Sequence, residues 1–275
     1  MVTGATDRQL VFRVDGPENA PTLVFLHGWP DDPSLWRHQV EALRGEFRCV
    51  LPTLPNFGAT PHEPGGCDFP ELVDRLARTV EALGDARVTL ITHDWGAYIG
   101  YLYEKKHPER VECMVAMDIG GHMQPSTLAE AAMFVSYQWA LATFWIVGGV
   151  VPPLGTWLTR SLARVIKVPD RQIATLTSRL NYPYFYLWRS TLLPWLHSRL
   201  IGRYRPRCAV LFIYGGKKPL MFHTRRWLDI VDETGGQSVC IEKGSHWFME
   251  TEVEQTNQLV SDWLRSRLLA TEAPT

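Results

Sequence analysis

Asp94 sits at the centre of "LITHDWGAYIG" (Leu90 to Gly100), an apolar run that passes through small residues into a helical pattern. The spacing predicts a strand, a sharp turn at Asp94 and a helix from Trp95. Thr92 and Gly96 supply the small side chains that such a turn needs, because the helix begins at once. A side chain at that bend stands above the sheet, and the N–H groups of the helix start aim at it. A carboxylate there is ionised near neutral pH without help from a base. It can attack an activated saturated carbon, such as that of an epoxide or an alkyl halide, and form an alkyl ester. Water must then attack the carbonyl carbon of Asp94 itself, so the oxyanion develops on the aspartate.

The second step needs a base, an acid to orient it, and N–H donors. His246, in "EKGSHWFMETE", lies after the last expected strand and before the last helix, where a triad histidine follows its nucleophile and acid. His27, His62, His93, His107, His122, His197 and His223 fit that place less well. An imidazole base needs a carboxylate to fix its tautomer. The loop "YGGKKPLMF" carries Lys217 or Lys218 where an aspartate is usual, and no acid follows until Asp229, in a helical stretch. Asp118 is the expected substitute, since its strand ends at the same edge of the sheet as Asp94. The competing role for Asp118 is to cap the first helix beyond it. "LVFLHGWP" offers the N–H of Trp29 beside that of Trp95, two donors each worth on the order of 3 kcal/mol to an oxyanion. Pro30 stiffens that loop. The two indole side chains can equally serve as packing.

These residues need a scaffold of alternating elements. Thr22–Gly28, Arg48–Leu54, Arg87–Asp94, Val111–Asp118, Cys208–Gly216 and Gln237–Gly244 are nearly continuous apolar runs, as expected of strands buried on both faces. Phe69–Gly84 and Val253–Leu269 have helical spacing, the first ending at Gly84. Such alternation implies a mostly parallel sheet with right-handed crossovers. Between Asp118 and Cys208 no clear strand is expected, and the interval is rich in Trp, Tyr, Phe and Leu. It reads as a helical cap over residues 120–206, inserted into a core domain of residues 1–119 and 207–275. "ATEAPT" at the C-terminus is expected to fray.

With "HGWP", "HDWG" and His246 in place, the chain resembles the α/β-hydrolase-fold epoxide hydrolases and their close relatives, the haloalkane dehalogenases. The resemblance implies an α/β-hydrolase fold, a mostly parallel sheet flanked by helices with an inserted helical cap. It implies hydrolysis of an epoxide to a vicinal diol through a covalent aspartyl ester, with no metal or organic cofactor. In that family cap tyrosines polarise and protonate the epoxide oxygen, a role suited to a phenol. Tyr137, followed by Gln138, matches the first of them. For the second, "LNYPYFYLWRS" offers Tyr182, Tyr184 and Tyr186, and Tyr186 is preferred because it would share a helical face with Tyr182. The alternatives are dehalogenation by the same nucleophile, with the halide held by Trp95 and a second donor, and a non-catalytic homologue that binds a small apolar ligand.

Composition sets the frame. The chain has 275 residues, 45% hydrophobic and 21% charged, with net charge −1, which suits a soluble globular protein. Neither nucleic acid nor a membrane is an evident partner; the expected partners are a small apolar epoxide and water, and a homodimer is compatible. Cys49, Cys67, Cys113, Cys208 and Cys240 are odd in number and form no C-x-x-C pair. They read as free thiols of a reducing compartment. The first residues lack the basic-then-apolar pattern of a signal peptide, so a cytoplasmic location is expected. The apolar stretch Trp139–Leu158 holds a Gly pair and a Pro pair. It reads as a buried or lid helix ending at Pro152 ahead of a membrane span, with an exposed lid face touching lipid left open.

Overall fold

The computed structural model describes residues 8–125, 127–193, 204–218 and 220–269. Within them seven strands form one sheet: β1 (Val11–Asp15), β2 (Thr22–Leu26), β3 (Arg48–Thr53), β4 (Val88–His93), β5 (Val111–Met117), β6 (Ala209–Gly215) and β7 (Gln237–Ile241), in the order β1-β3-β2-β4-β5-β6-β7. Only β1 runs antiparallel, against β3. It is additional to the six strands expected from sequence. "VFRVD" is a half-exposed edge strand, so it lacks the continuous apolar run that marks strands buried on both faces.

Residues alternate across the sheet and sort the interior into two cores. Val24, Val50, Leu90, Met114, Ala116 and Phe212 face α2 (Phe69–Ala82) and α3 (Trp95–Lys106). Leu23, Phe25, Ile91, Val115, Met117 and Ile213 face the opposite layer, which includes α1 (Arg37–Leu43). Helix α2 shows the local logic. Asp68 caps it by accepting from the Glu71 N–H, Phe69, Leu72, Val73, Leu76 and Val80 are buried, and Gly84 beyond its end takes φ +78°.

Among the described residues, four α-helices lie between β5 and β6, consistent with a cap: α4 (Leu128–Val150), α5 (Pro152–Val165), α6 (Asp170–Thr175) and α7 (Tyr182–Leu192). Helix α4 stops at Val150, and Pro152 opens α5, because proline is tolerated only in a first turn. Back in the sheet domain, α8 (Arg225–Glu233) precedes β7, and α9 (Phe248–Thr251) and α10 (Val253–Leu264) complete the layer around α1. The expected last helix is shorter than its sequence pattern: α10 ends at Leu264 and Arg265–Leu269 form a π turn. His197 and the C-terminal "ATEAPT" lie outside the described residues. All five cysteines are free, and only Cys240 is not fully buried.

Candidate active site

Strand register brings the two carboxylates together. His93 on β4 pairs with Met117 on β5, so Asp94 and Asp118 leave neighbouring strands side by side. Each takes a left-handed backbone, φ +53° and +70°, a conformation costly for a residue with a Cβ and typical of a functional turn. At Asp94 the turn works only because its neighbours are glycines. A Cβ on Gly28 would lie 2.2 Å from Asp94 Oδ1, and one on Gly96 would lie 2.1 Å from the Leu26 carbonyl. Neither spacing is sterically tolerable, so the "HGWP" loop can approach the start of α3 only without those side chains.

Two backbone donors converge on the Asp94 carboxylate. The Trp29 N–H donates to Oδ1 at 2.6 Å, and the Trp95 N–H contributes a second hydrogen bond. Burial nevertheless raises the Asp94 pKa above its ordinary value, against the lowering pull of His246 and of these donors. The Trp29 indole N–H is committed to the cap, donating to Asn181 Oδ1 at 2.9 Å, while Asn181 donates to Thr159. That chain ties the donor loop to the cap. His27 of the same loop bridges the Gly28 carbonyl and the Leu54 N–H. Burial lowers its pKa to about 4, so it is a neutral structural bridge.

His246 follows β7 and lies between the two carboxylates. Its Nδ1 is 2.6 Å from Asp118 Oδ2 and its Nε2 is 3.7 Å from Asp94 Oδ2. Donation from Nδ1 to the carboxylate leaves the Nε2 lone pair facing Asp94. Asp118 does not cap the first cap helix; Thr127 does, accepting from the Glu130 N–H. Oδ1 of Asp118 accepts from the Gly215 N–H and from the Lys218 ammonium. Lys218, which stands where sequence reasoning expects an acid, is thus the partner of the acid. Burial alone would push Asp118 up, but Lys218 and His246 outweigh it and hold its pKa at about 2.

A cavity of about 860 Å³ opens over Asp94 and His246, walled by Trp29, Trp95, Tyr137, Tyr184, Leu162, Lys218 and Phe222. Tyr137 stands in this wall as expected. Tyr186 does not, and that expectation is corrected: its hydroxyl donates to the Gly65 carbonyl at 2.7 Å, outside the cavity. Tyr182 shares its face, as the spacing implied, with ring centroids 6.5 Å apart. That face turns toward the 57–66 loop, where Tyr182 packs on Phe57 and Gly66. Tyr184 lies about 200° round α7 from Tyr182 and so faces the opposite way. Its ring stands edge-on to Trp29, Trp95 and Tyr137 at 5.7, 5.0 and 6.1 Å. Burial, and then the charge of Asp94, raise the pKa of both Tyr137 and Tyr184, so both phenols stay protonated at neutral pH.

Two polar residues of the site have no local signature in the sequence. Asp31 is buried between Gln172 of α6 and the indole of Trp247, at 2.8 and 2.9 Å. Burial lifts its pKa to about 6. His93 is buried with its Nε2 3.0 Å from the His246 carbonyl. Burial, and then the charge of His246, keep it well below the usual imidazole range, so it is neutral and donates to that carbonyl. The doubled acid in "HGWPDD" and the histidine beside Asp94 were the only signals available.

Among the described residues, no group of three or more His, Cys, Asp or Glu side chains could hold a metal ion. A sequence profile of the alpha/beta hydrolase fold matches residues 21–165, more than half of the chain. A serine hydrolase-like protein of Danio rerio is 33% identical over 113 residues, 40% of this chain and 35% of that protein. Epoxide hydrolase 2 of Siraitia grosvenorii is 33% identical over 104 residues, 37% of this chain and 33% of that protein. The chain thus spans about a third of the length of these curated relatives. Epoxide hydrolase A of Mycobacterium thermoresistibile superposes with a TM-score of 0.70 at 19% identity, covering 93% of this chain and 95% of that one; the likeness is one of fold. Profile, sheet order and the tight turn at Asp94 agree, and the chain belongs to the alpha/beta hydrolase fold family.

Proposed function

We propose that this chain hydrolyses epoxides to vicinal diols through an alkyl ester on Asp94. The observation that carries the reading is the pair of protonated phenols, Tyr137 and Tyr184, in the cavity wall beside the Asp94 carboxylate. A serine-type acyl transfer has no use for them. An epoxide does, because its oxygen becomes an alkoxide as the ring opens and needs a proton donor of high pKa.

Asp94 Oδ2 attacks the epoxide carbon, the carbon–oxygen bond breaks, and a phenol protonates the leaving oxygen. Oδ1 stays on the Trp29 N–H, with the Trp95 N–H on the same carboxyl group. His246 Nε2 then takes a proton from water, and the hydroxide attacks the Asp94 carbonyl carbon. The negative charge falls on Oδ1, where the Trp29 donor is already in place, and such preorganisation lowers the barrier by several kcal/mol. Collapse of the intermediate expels the diol, which takes its proton from the imidazolium, and the proton left on the Asp94 carboxyl returns to the phenolate. Asp118 orients His246 and stabilises its charged form. The epoxide and one water are consumed, and the enzyme returns to its starting state with a water-derived oxygen on Asp94. The apolar wall favours a substrate with a hydrophobic body, admitted beneath a cap formed by residues 120–206.

Haloalkane dehalogenation is the second reading. The buried indole of Trp95 favours it, since Trp95 lines the same cavity and its N–H has only the Tyr184 hydroxyl as a loose partner. A halide site of that kind uses a second donor, however, and the Trp29 indole is committed to Asn181. A non-catalytic ligand binder loses its main support, because His246 does not lack a carboxylate.

A single turnover of an epoxide in heavy-oxygen water tests the proposal. The diol of the first turnover should carry unlabelled oxygen from Asp94, and the label should enter the protein. Label in that first diol would show direct attack by water and remove Asp94 as nucleophile. Release of halide from bromoalkanes without diol formation would favour the second reading.

A further inference from the structure

Among the described residues, the outer face of the cap is apolar and uncovered. On α4, Leu128, Val135, Trp139, Ile146 and Val150 recur at alternating spacings of seven and four residues and are all exposed, Val150 at 82%. Trp157 on α5 extends the same character at 62% exposure. Helix α4 is the one helix among the described residues that is long and apolar enough to cross a membrane, and only 17% of its most apolar window is buried. It is not free to cross one. Leu141 and Ala142 are buried on its inner side, and Phe134 and Tyr137 line the cavity. One face remains available, so α4 can meet a lipid surface along that face but not pass through it.

Charge indicates which kind of surface. Residues 120–206 carry nine Lys or Arg against two Asp or Glu, a net charge of +7, whereas the whole chain is −1. Arg171, Arg189 and Arg205 of this segment pair with Glu250, Asp68 and Glu233 outside it, so the local excess is carried by the remaining basic residues. Arg164 and Lys167 are exposed on either side of Val165 and Ile166, which border the cavity. A second copy is disfavoured as the occupant. A two-fold contact through this face would set cap against cap, bringing two strongly positive segments together. An anionic bilayer meets both features, accepting the apolar stripe with its exposed tryptophans and attracting the basic flank.

We infer that the outer face of α4 and α5 docks on the surface of an anionic lipid bilayer, with the cavity rim at Val165 and Ile166 turned toward the lipid. An apolar substrate dissolved in the acyl region would then reach Asp94 without passing through bulk water. The docking itself does not depend on the catalytic reading.

Flotation of the full chain with vesicles tests this. Partition should be strong with phosphatidylcholine containing about a third phosphatidylglycerol, weaker with phosphatidylcholine alone, and reduced at roughly 0.5 M salt. Ile146→Asp with Val150→Asp should lower partition at least roughly tenfold while leaving the thermal midpoint near that of the parent. Arg164→Glu with Lys167→Glu should weaken binding to the anionic vesicles roughly tenfold and leave binding to neutral ones unchanged. The inference is overturned if the parent chain stays in solution with both kinds of vesicle, or if the Ile146 and Val150 variant partitions as well as the parent. It is equally overturned if the lipid-free parent is a dimer that this variant dissociates, because the occupant is then a second copy.

Discussion

Lys218 and Asp118 form a buried ion pair on the side of the carboxylate away from His246, with side chains 4% and 0% exposed. The lysine stands on the loop after β6, where an acid would ordinarily support the base. The acid of the proposed triad stands instead at the end of β5, and a cation occupies the loop after β6. One oxygen of Asp118 is held by Lys218 and Gly215, which leaves the other for His246.

Lys218→Met should therefore destabilise the fold and disturb the base together. Removing one partner of a buried pair leaves a desolvated charge, at a cost of roughly 3 kcal/mol. The folded pKa of Asp118, about 2, lies below its unfolded value. Its stabilising contribution is thus present above the unfolded pKa and lost as pH falls through about 4 to 2. The deficit of the variant should be largest above pH 4 and shrink in more acid solution. Denaturant unfolding across that range measures it. The acid limb of kcat should move to higher pH in the methionine variant and return in Lys218→Arg; a limb that does not move would confine Lys218 to a structural role.

Tyr184 and Tyr186 differ by two positions on one helix and should differ sharply in effect. Tyr184→Phe removes a phenol from the cavity and should lower kcat for an epoxide by roughly 10²-fold. Tyr186→Phe removes a hydrogen bond to Gly65 outside the cavity and should cost about 1 kcal/mol of stability with kcat near that of the parent. Steady-state kinetics on one epoxide, with thermal unfolding of both variants, separates the two. Equal kinetic losses would contradict the assignment of faces on α7.

The contrast between these tyrosines shows what the sequence could carry. Asp94 and Asp118 were legible because each ends a strongly apolar run and parallel strands end at one edge, and His246 by its place in chain order, after the last strand and before the last helix. Spacing also placed Tyr182 and Tyr186 on one helical face, correctly. It could not say which face of α7 turns toward the sheet, because both are aromatic and the choice is made by the loop beneath. Asn181 meets Trp29 across 152 residues of chain, and Asp31 meets Trp247 across 216. Contacts of that separation leave no periodicity. Strand β1 escaped for a different reason: as an edge strand it needs no continuous apolar run.

Asp31 joins the donor loop, the cap and the segment after His246, and it does so at an electrostatic cost. Its folded pKa of about 6 lies above the unfolded value, because burial outweighs the donors Gln172 and Trp247. A carboxyl so shifted binds its proton more tightly in the folded state. Its protonated form therefore favours folding at low pH, and stability declines as pH rises from about 4 to 6. Asp31→Asn removes that titration. The stability of the parent relative to the variant should fall by roughly 2–3 kcal/mol between pH 4 and pH 7. Parallel stability curves for the two proteins over this range would show that Asp31 is ionised without penalty.

Gly28 offers the sharpest steric test of the site, because its missing side chain is what lets two segments meet. A methyl group there would fall 2.2 Å from Asp94 Oδ1 and 2.5 Å from the Trp95 nitrogen. Neither neighbour is the end of a flexible chain; one belongs to the proposed nucleophile and the other to the helix that presents it. Relief must come from moving the Trp29 N–H away from Oδ1, and with it the donor placed for the oxyanion. Loss of one such donor costs roughly 10²- to 10³-fold in kcat. Gly28→Ala should therefore lose at least about 10²-fold in turnover while still unfolding cooperatively. Near-normal turnover in a folded Gly28→Ala protein would mean that the Trp29 N–H does not serve the reaction, because the added methyl group cannot coexist with that donor in its present position.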